Sequence, residues 1–219
     1  MRIDFVRHGH CQDSAFLRGR SASLLSVLGQ KQMHKALDAL EPADLIISSP
    51  AIRCLDLVEA YYADKSEALN IEAWPDFQER FFGVWDGLSY DAIQALDVEG
   101  FTHYLDNPFD YAIPEAESLA KFENRVQQVF QKLLEHAVHN QLEHIVVVTH
   151  GGVMRVLLKQ VLGLSDTALF QLEMGYAARM SLECIELTEA MQSDTEHCQK
   201  ASDAFFIKLL ELVQSPIKS

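Results

Sequence analysis

Three apolar runs, RIDFV at residues 2–6, ADLII at 43–47 and HIVVV at 144–148, each break off into residues that carry chemistry. The first leads into Arg7-His8-Gly9-His10, the second into Ser48-Ser49-Pro50 and the third into Thr149-His150-Gly151-Gly152. Strands so nearly continuous in apolar residues must be covered on both faces, as in a parallel sheet flanked by helices. Helical patterns lie between the runs. Leu28, Met33, Leu37 and Leu40 recur at helical spacing, and AIRCLDLVEAYYA starts a helix at or just after Pro50. From Glu117 to His139 one face holds Leu119, Phe122, Val126, Val129, Phe130, Leu133 and Leu134, and VMRVLLKQVLG closes at Gly163. The expected fold is α/β: a three-layer αβα sandwich, with a mostly parallel central sheet and helices on both faces.

A chain of 219 residues is expected to form one domain over residues 1–219. Between Pro75 and Pro114 the pattern turns irregular and aromatic, with Phe77, Phe81, Phe82, Trp85, Tyr90, Phe101, Tyr104 and Phe109. We read about 76–116 as a lid-like, acidic excursion that overhangs a site. In the tail, SLECIEL alternates as a strand does, AFFIKLLEL fits strand or helix, and a polar insert at about 189–203 separates them.

Charge narrows the function. Lys plus Arg is 18 against 32 Asp plus Glu, a net charge of −14, the reverse of what a nucleic-acid binder needs. A small anionic substrate would also be repelled by that field, so a phosphate site must gather its few arginines locally. Cys11, Cys54, Cys184 and Cys198 show no metal-ribbon or disulfide spacing and read as free thiols. No apolar run is long enough for a signal-peptide core or a membrane span, so no membrane partner is expected and the cytoplasm is the expected compartment.

Ligands of open α/β sheets bind outside the carboxyl ends of the strands. If the sheet is parallel, the three loaded termini meet at one edge and bring His8, His150, Arg7 and Arg53 together. Two arginines can grip a phosphate bidentately, which lysine cannot reproduce. A histidine between them could attack phosphorus through one ring nitrogen if the other is fixed by a hydrogen bond, while the second histidine donates to the nonbridging oxygens. A carboxylic acid must then protonate the leaving alkoxide. A lone histidine at a strand end is usually an ordinary polar residue; two of them, each followed by glycine after an apolar strand, are not. His34, His103, His136, His139, His144 and His197 lack that setting, and no role is assigned to them.

These residues resemble a known family. VRHGH is similar to the R-H-G-[ET] signature of the histidine phosphatase superfamily, which includes the cofactor-dependent phosphoglycerate mutases. The likeness continues in order through GRSASLLSVLGQKQ, SSPAIRCLDLVEA, QERFFGVWDGLSYDAI, EAESLAKFENRV and VVVTHGGVMRVLL. The resemblance implies a phosphoglycerate mutase-like fold and a phosphohistidine mechanism without metal or other cofactor. By its implication His8 is the nucleophile, Arg7 and Arg53 clamp the phosphate, His150 lines the phosphate pocket, and Glu79 is the proton donor and later the base. Ser14 and Gly151 are further expected phosphate contacts, and Phe82, Trp85 and Ser21 are expected to line the substrate pocket.

His10 stands where the family usually has Glu or Thr, and Ser14 where Asn is common. From Phe81 to Ala120 there is no lysine or arginine, so the overhang is poorly suited to a second anion, while Phe81, Phe82 and Trp85 suit a flat neutral or cationic group. Hydrolysis of a phosphomonoester is therefore expected over mutase activity. Length, the F-G-x-W segment and the two-run tail look most like the bacterial alpha-ribazole-phosphate phosphatases of cobalamin assembly, which implies that the tail runs pair as a hairpin. Open alternatives are a broad-specificity phosphatase, a phosphoglycerate mutase-like enzyme, a noncatalytic phosphate-ester binder and a metal-dependent hydrolase using H-G-H.

Overall fold

The computed structural model describes residues 1–13, 15–65, 70–107, 111–170, 172–187 and 204–215. Ser14, Phe109, His197, Cys198 and the insert at 189–203 lie outside them. In chain order the elements are β1 (Arg2–Arg7), α1 (Val27–Asp38), β2 (Leu45–Ser48), α2 (Ile52–Asp64), β3 (Ile71–Ala73), α3 (Tyr90–Leu96), α4 (Val98–Asp106), α5 (Leu119–His139), β4 (His144–Thr149), α6 (Gly151–Leu162), α7 (Asp166–Phe170), β5 (Arg179–Glu186) and β6 (Phe205–Val213). The sheet runs β3-β2-β4-β1-β5-β6, with β3, β2, β4 and β1 parallel and the β5–β6 pair antiparallel at one side. The second tail run is thus a strand, paired with the first.

Side chains alternate across a strand, and both faces are apolar for a visible reason. Ile3, Phe5, Leu45, Ile47, Ile145 and Val147 pack on one side against Phe122, Val126, Phe130 and Leu133 of α5 and Val153 and Leu157 of α6. Val6, Ile46, Val146 and Val148 face the other way, onto Met33 and Leu37 of α1 and Cys54, Val58 and Tyr61 of α2. The helices start where their caps put them: Ser26 Oγ accepts from Gly29 N at 3.0 Å before α1, and Ser118 Oγ from Lys121 N at 3.3 Å before α5. Gly163 ends α6 in the left-handed region, at φ 63°.

The excursion between β3 and α5 holds two short helices, α3 and α4, that its irregular sequence pattern does not announce. Asp97 ends one and caps the next, its carboxylate accepting from Gly100 N at 2.8 Å. The segment builds a small core from Leu17, Trp85, Ile93, Phe101 and Ile113. Trp85 corrects the expectation that it lines the substrate pocket. Its side chain is 0% exposed, stacked on Tyr111 at 5.3 Å and met edge-on by Phe101 and Tyr104, because a large apolar ring is most stable in that core. Acidic residues here also hold structure: the Asp86 carboxylate accepts from the backbone of Arg20, Ser21 and Phe82, and Glu117 pairs with Arg125 at 2.8 Å.

At the opposite end of the sheet from the loaded termini, Asp4 is fully buried and accepts from Arg2 at 2.8 Å, His144 Nε2 at 2.7 Å and the Ser181 hydroxyl. His144 Nδ1 faces the Pro42 carbonyl at 2.9 Å, so both ring nitrogens meet acceptors and both must carry protons. The Asp4 hydrogen bond raises the His144 pKa above 6.5; at Asp4 burial works upward, but the bonds from His144, Arg2 and Ser181 bring its pKa below 3.8. A raised histidine pKa contributes stability that is complete below the unfolded value and lost as pH rises through the folded one. The Asp4 contribution is lost in the other direction, as pH falls through its depressed pKa. Urea unfolding is expected to show stability declining as pH rises above neutrality, and His144→Gln should flatten that decline.

Candidate active site

The register of the sheet brings the two histidines side by side. Arg7 on β1 pairs with Thr149 on β4, so His8 and His150, each one residue beyond, leave the same sheet edge together. Their ring centroids are 5.3 Å apart at 64°. Both are buried, at 5% and 0% exposure.

Each ring is held in one tautomer by its surroundings. His8 Nδ1 lies 2.8 Å from the Gly9 carbonyl, which can only accept, so Nδ1 carries the hydrogen and Nε2 keeps its lone pair. Burial first, and then the Arg53 and Arg7 charges, push the His8 pKa well below 6.5, leaving a neutral ring near pH 7. His150 Nδ1 accepts from Arg53 Nη2 at 3.3 Å, because guanidinium only donates; its Nε2–H then donates to Ser49 Oγ at 2.7 Å. Burial, followed by Arg53 and His8, lowers the His150 pKa in the same way.

Arg53, on the first turn of α2, is 1% exposed and ties the site together by donating to the Ser21 carbonyl at 3.0 Å and the Gly19 carbonyl at 2.6 Å. Arg7 donates to the Met174 carbonyl and lies on the face of Tyr176, with Cζ 4.4 Å from the ring centroid. Arg7 Nε and Arg53 Nε are buried without a hydrogen-bond partner among the described residues. Such orphaned donors are uncommon and call for an acceptor, and a phosphate supplies several oxygens.

Glu79 joins the site from the start of the excursion, a few residues after β3. Its carboxylate accepts from Arg80 N and from Gly152 N, both at 3.0 Å, and a Cβ on Gly152 would stand on that carboxylate. The glycine thus makes room for the acid at the start of α6. Gly152→Ala should displace Glu79 at little cost in stability, since the carboxylate is the free end of a flexible side chain, yet lower kcat by about 10 to 100-fold. Steady-state kinetics beside thermal melting checks both halves.

Of the other expected contacts, Gly151 lies beneath Arg7, whose Nε is 3.2 Å from where a Gly151 Cβ would be. Ser21 offers Arg53 its carbonyl, while its hydroxyl is buried and unpaired among the described residues. Phe82 borders the same loop: its ring lies 2.9 Å from a Cβ placed on Gly19 and has the Arg80 guanidinium 5.7 Å away. His10 Nδ1 sits 2.8 Å from Ser26 Oγ, and its ring meets the edge of Tyr176 at 5.3 Å.

Four residues at the site escaped the sequence reading. Ser49 sat inside the quoted SSP stretch but was not linked to a histidine 101 residues away. Arg155 interrupts the apolar face of α6, and its Nη1 lies 3.3 Å from the Gly151 Cβ position, beside Arg7. In a chain with only 18 Lys plus Arg, that interruption and the arginine-rich LRGR stretch holding Arg18 were the available signals. Nothing in the sequence marked Tyr176. Among the described residues no group of three or more His, Cys, Asp or Glu could hold a metal ion.

Fold and site together define a class, an α/β protein that gathers two buried histidines and two arginines at the carboxyl edge of a mostly parallel sheet. The family model of the histidine phosphatase superfamily (branch 1) matches residues 3–193, and the chain belongs to that family, as a phosphoric monoester hydrolase of the histidine type. It is 26% identical over 183 residues to the adenosylcobalamin/alpha-ribazole phosphatase of Escherichia coli K12, covering 80% of this chain and 87% of that one. It is 27% identical over 167 residues to a metal-independent phosphoserine phosphatase of Arabidopsis thaliana, covering 73% and 68%. The crystal structure of the alpha-ribazole phosphatase from Shigella flexneri superposes with a TM-score of 0.75 at 21% identity, over 100% of this chain and 99% of the other, and so shares its phosphoglycerate mutase-like fold.

Proposed function

We propose that the protein is an alpha-ribazole 5'-phosphate phosphatase working through a phosphohistidine. The observation that carries the mechanism is His8 itself: Nδ1–H committed to the Gly9 carbonyl, a neutral ring, and Nε2 free beside an arginine clamp. The Nε2 lone pair attacks phosphorus and the ester P–O bond breaks. Glu79, entering as the acid, gives its proton to the departing alkoxide; as carboxylate it then takes a proton from water, whose oxygen attacks phosphorus, breaks the P–N bond and restores His8. Arg7 and Arg53, with Gly151 and Ser14, hold the nonbridging oxygens as charge spreads over them; His150 orients Arg53 through Nδ1, and its Nε2–H passes from Ser49 Oγ to a phosphate oxygen when the anion is bound.

The substrate assignment rests on the similarity to the Escherichia coli phosphatase and on the cap. Residues 81–120 hold no lysine or arginine, and Phe82, with Ser21, offers a partly apolar rim at the site, which suits an uncharged ribosyl body beneath the lid-like excursion at about 76–116. One observation favours a second reading. Arg155 brings a cation to the site from α6 rather than from the cap, as a leaving group with its own carboxylate would require. A panel of alpha-ribazole phosphate, phosphoserine, 3-phosphoglycerate and p-nitrophenyl phosphate separates them. Turnover of alpha-ribazole phosphate should exceed the others by orders of magnitude, unchanged by chelator; phosphoserine in first place would shift the assignment to the second reading.

The partner so implied is a small phosphomonoester; the acidic surface speaks against nucleic acid. Among the described residues no helix is long and apolar enough to cross a membrane. Cys11, Cys54 and Cys184 are free thiols, which supports a reducing compartment, and we place the enzyme in the cytoplasm.

A further inference from the structure

Tyr176, in the turn leading into β5, touches four groups of the site. Arg7 lies on its ring face with Cζ 4.4 Å from the centroid, the His10 ring meets it at 5.3 Å and the His8 ring at 5.9 Å. Its hydroxyl accepts from Arg18 Nη2 at 2.7 Å. Arg18 Nη1, the other arm of that fork, is buried without a hydrogen-bond partner among the described residues, and no carboxylate there pairs with Arg18.

Two further observations place Arg18 at the nucleophile. Its charge is one of those that hold down the pKa of His8 and of Arg7. It also belongs to the loop whose Gly19 and Ser21 carbonyls accept from Arg53, so clamp and loop are a single unit. A buried guanidinium N–H loses its water on folding and is stable only if an acceptor replaces it. A phosphate held at His8 would supply that acceptor, since Tyr176 meets both the His8 ring and the Arg18 guanidinium.

We propose that Arg18, mounted on Tyr176, is a further phosphate-binding residue whose free Nη1–H donates to a nonbridging oxygen of the phosphate held at His8. The fork of arginine lets one arm bind the tyrosine while the other faces the anion, an arrangement the single ammonium of lysine does not reproduce. Tyr176 is then a positioning residue that seats both Arg7 and Arg18, and His10, steadied by Ser26, closes the edge of its ring. This rests on the reading of His8 as the phosphoryl acceptor.

The test measures binding of inorganic phosphate and orthovanadate, and hydrolysis of p-nitrophenyl phosphate, in the parent, Arg18→Gln, Arg18→Lys, Tyr176→Phe and Arg18→Gln/Tyr176→Phe. In Arg18→Gln the Kd for phosphate and the KM should rise about tenfold or more, the size of one lost charge-assisted hydrogen bond, with kcat less affected. Arg18→Lys should fail to restore parental affinity. Tyr176→Phe should shift the same quantities less, and the double variant should match Arg18→Gln, because the hydroxyl acts only through Arg18. A phosphate Kd and KM within twofold of the parent in Arg18→Gln would overturn the proposal. If that variant does not fold, unchanged phosphate affinity in Tyr176→Phe overturns it equally. A parent that binds neither anion would instead remove the underlying reading of the site.

Discussion

Replacing His8 with alanine should lower turnover by about 10⁴-fold or more while the protein stays folded. The large factor follows from the role. His8 Nε2 is the proposed nucleophile, and neither His150, whose Nδ1 already accepts from Arg53, nor His10, bound to Ser26, is placed to substitute for it. Stability should suffer little, since the ring makes its one strong hydrogen bond to a neighbouring carbonyl and packs at the edge of the sheet rather than in either core. Incubation with a labelled phosphoester and rapid denaturation should trap an acid-labile, base-stable phosphoryl group in the parent and none in the variant. Chelator should change neither result. Retained turnover in the variant, lost on chelation, would point to metal-dependent hydrolysis instead.

Arg53→Gln is expected to cut kcat/KM by about 10³-fold and also to destabilise the fold by roughly 1–3 kcal/mol. Both effects come from one buried guanidinium. It is a proposed arm of the phosphate clamp, it fixes the His150 tautomer, and it satisfies the Gly19 and Ser21 carbonyls that anchor the loop below the cap. Glutamine removes the charge and leaves those acceptors unpaired. Arg53→Lys keeps a charge but lacks the fork that serves two carbonyls and a phosphate together, so it should recover stability only in part and activity hardly at all. Urea unfolding and steady-state kinetics on both variants check this. Parental kcat/KM in Arg53→Lys would show that charge alone suffices.

How much of this was legible before folding can be judged residue by residue. The sheet was legible because apolar runs such as HIVVV have to be buried on both sides, and the structure lays α5 and α6 on one face, α1 and α2 on the other. The histidine pair was legible because both residues end such runs before glycine, and parallel register then forces them together. The cap was less so. Its aromatics mark a segment that leaves the sheet, but whether a ring faces substrate or a local core depends on its neighbours, and Trp85 turned to the core. The tail run AFFIKLLEL was ambiguous in periodicity until pairing with β5 made it a strand.

By itself the sequence determined the α/β class, because periodicity is a local property, and pointed to Arg7, His8, Arg53 and His150 at one sheet edge from residue type at the strand ends; Glu79 it offered only through the family resemblance. Only the tertiary structure decided that His8 keeps Nε2 free, that Arg53 and Ser49 hold the two nitrogens of His150, that Gly152 makes room for Glu79, and that Arg18, Arg155 and Tyr176 join the site. Apart from the bond between His8 and Gly9, these are contacts between residues far apart in the chain, 158 positions for Arg18 and Tyr176, set by strand register and loop packing, and no local pattern encodes them.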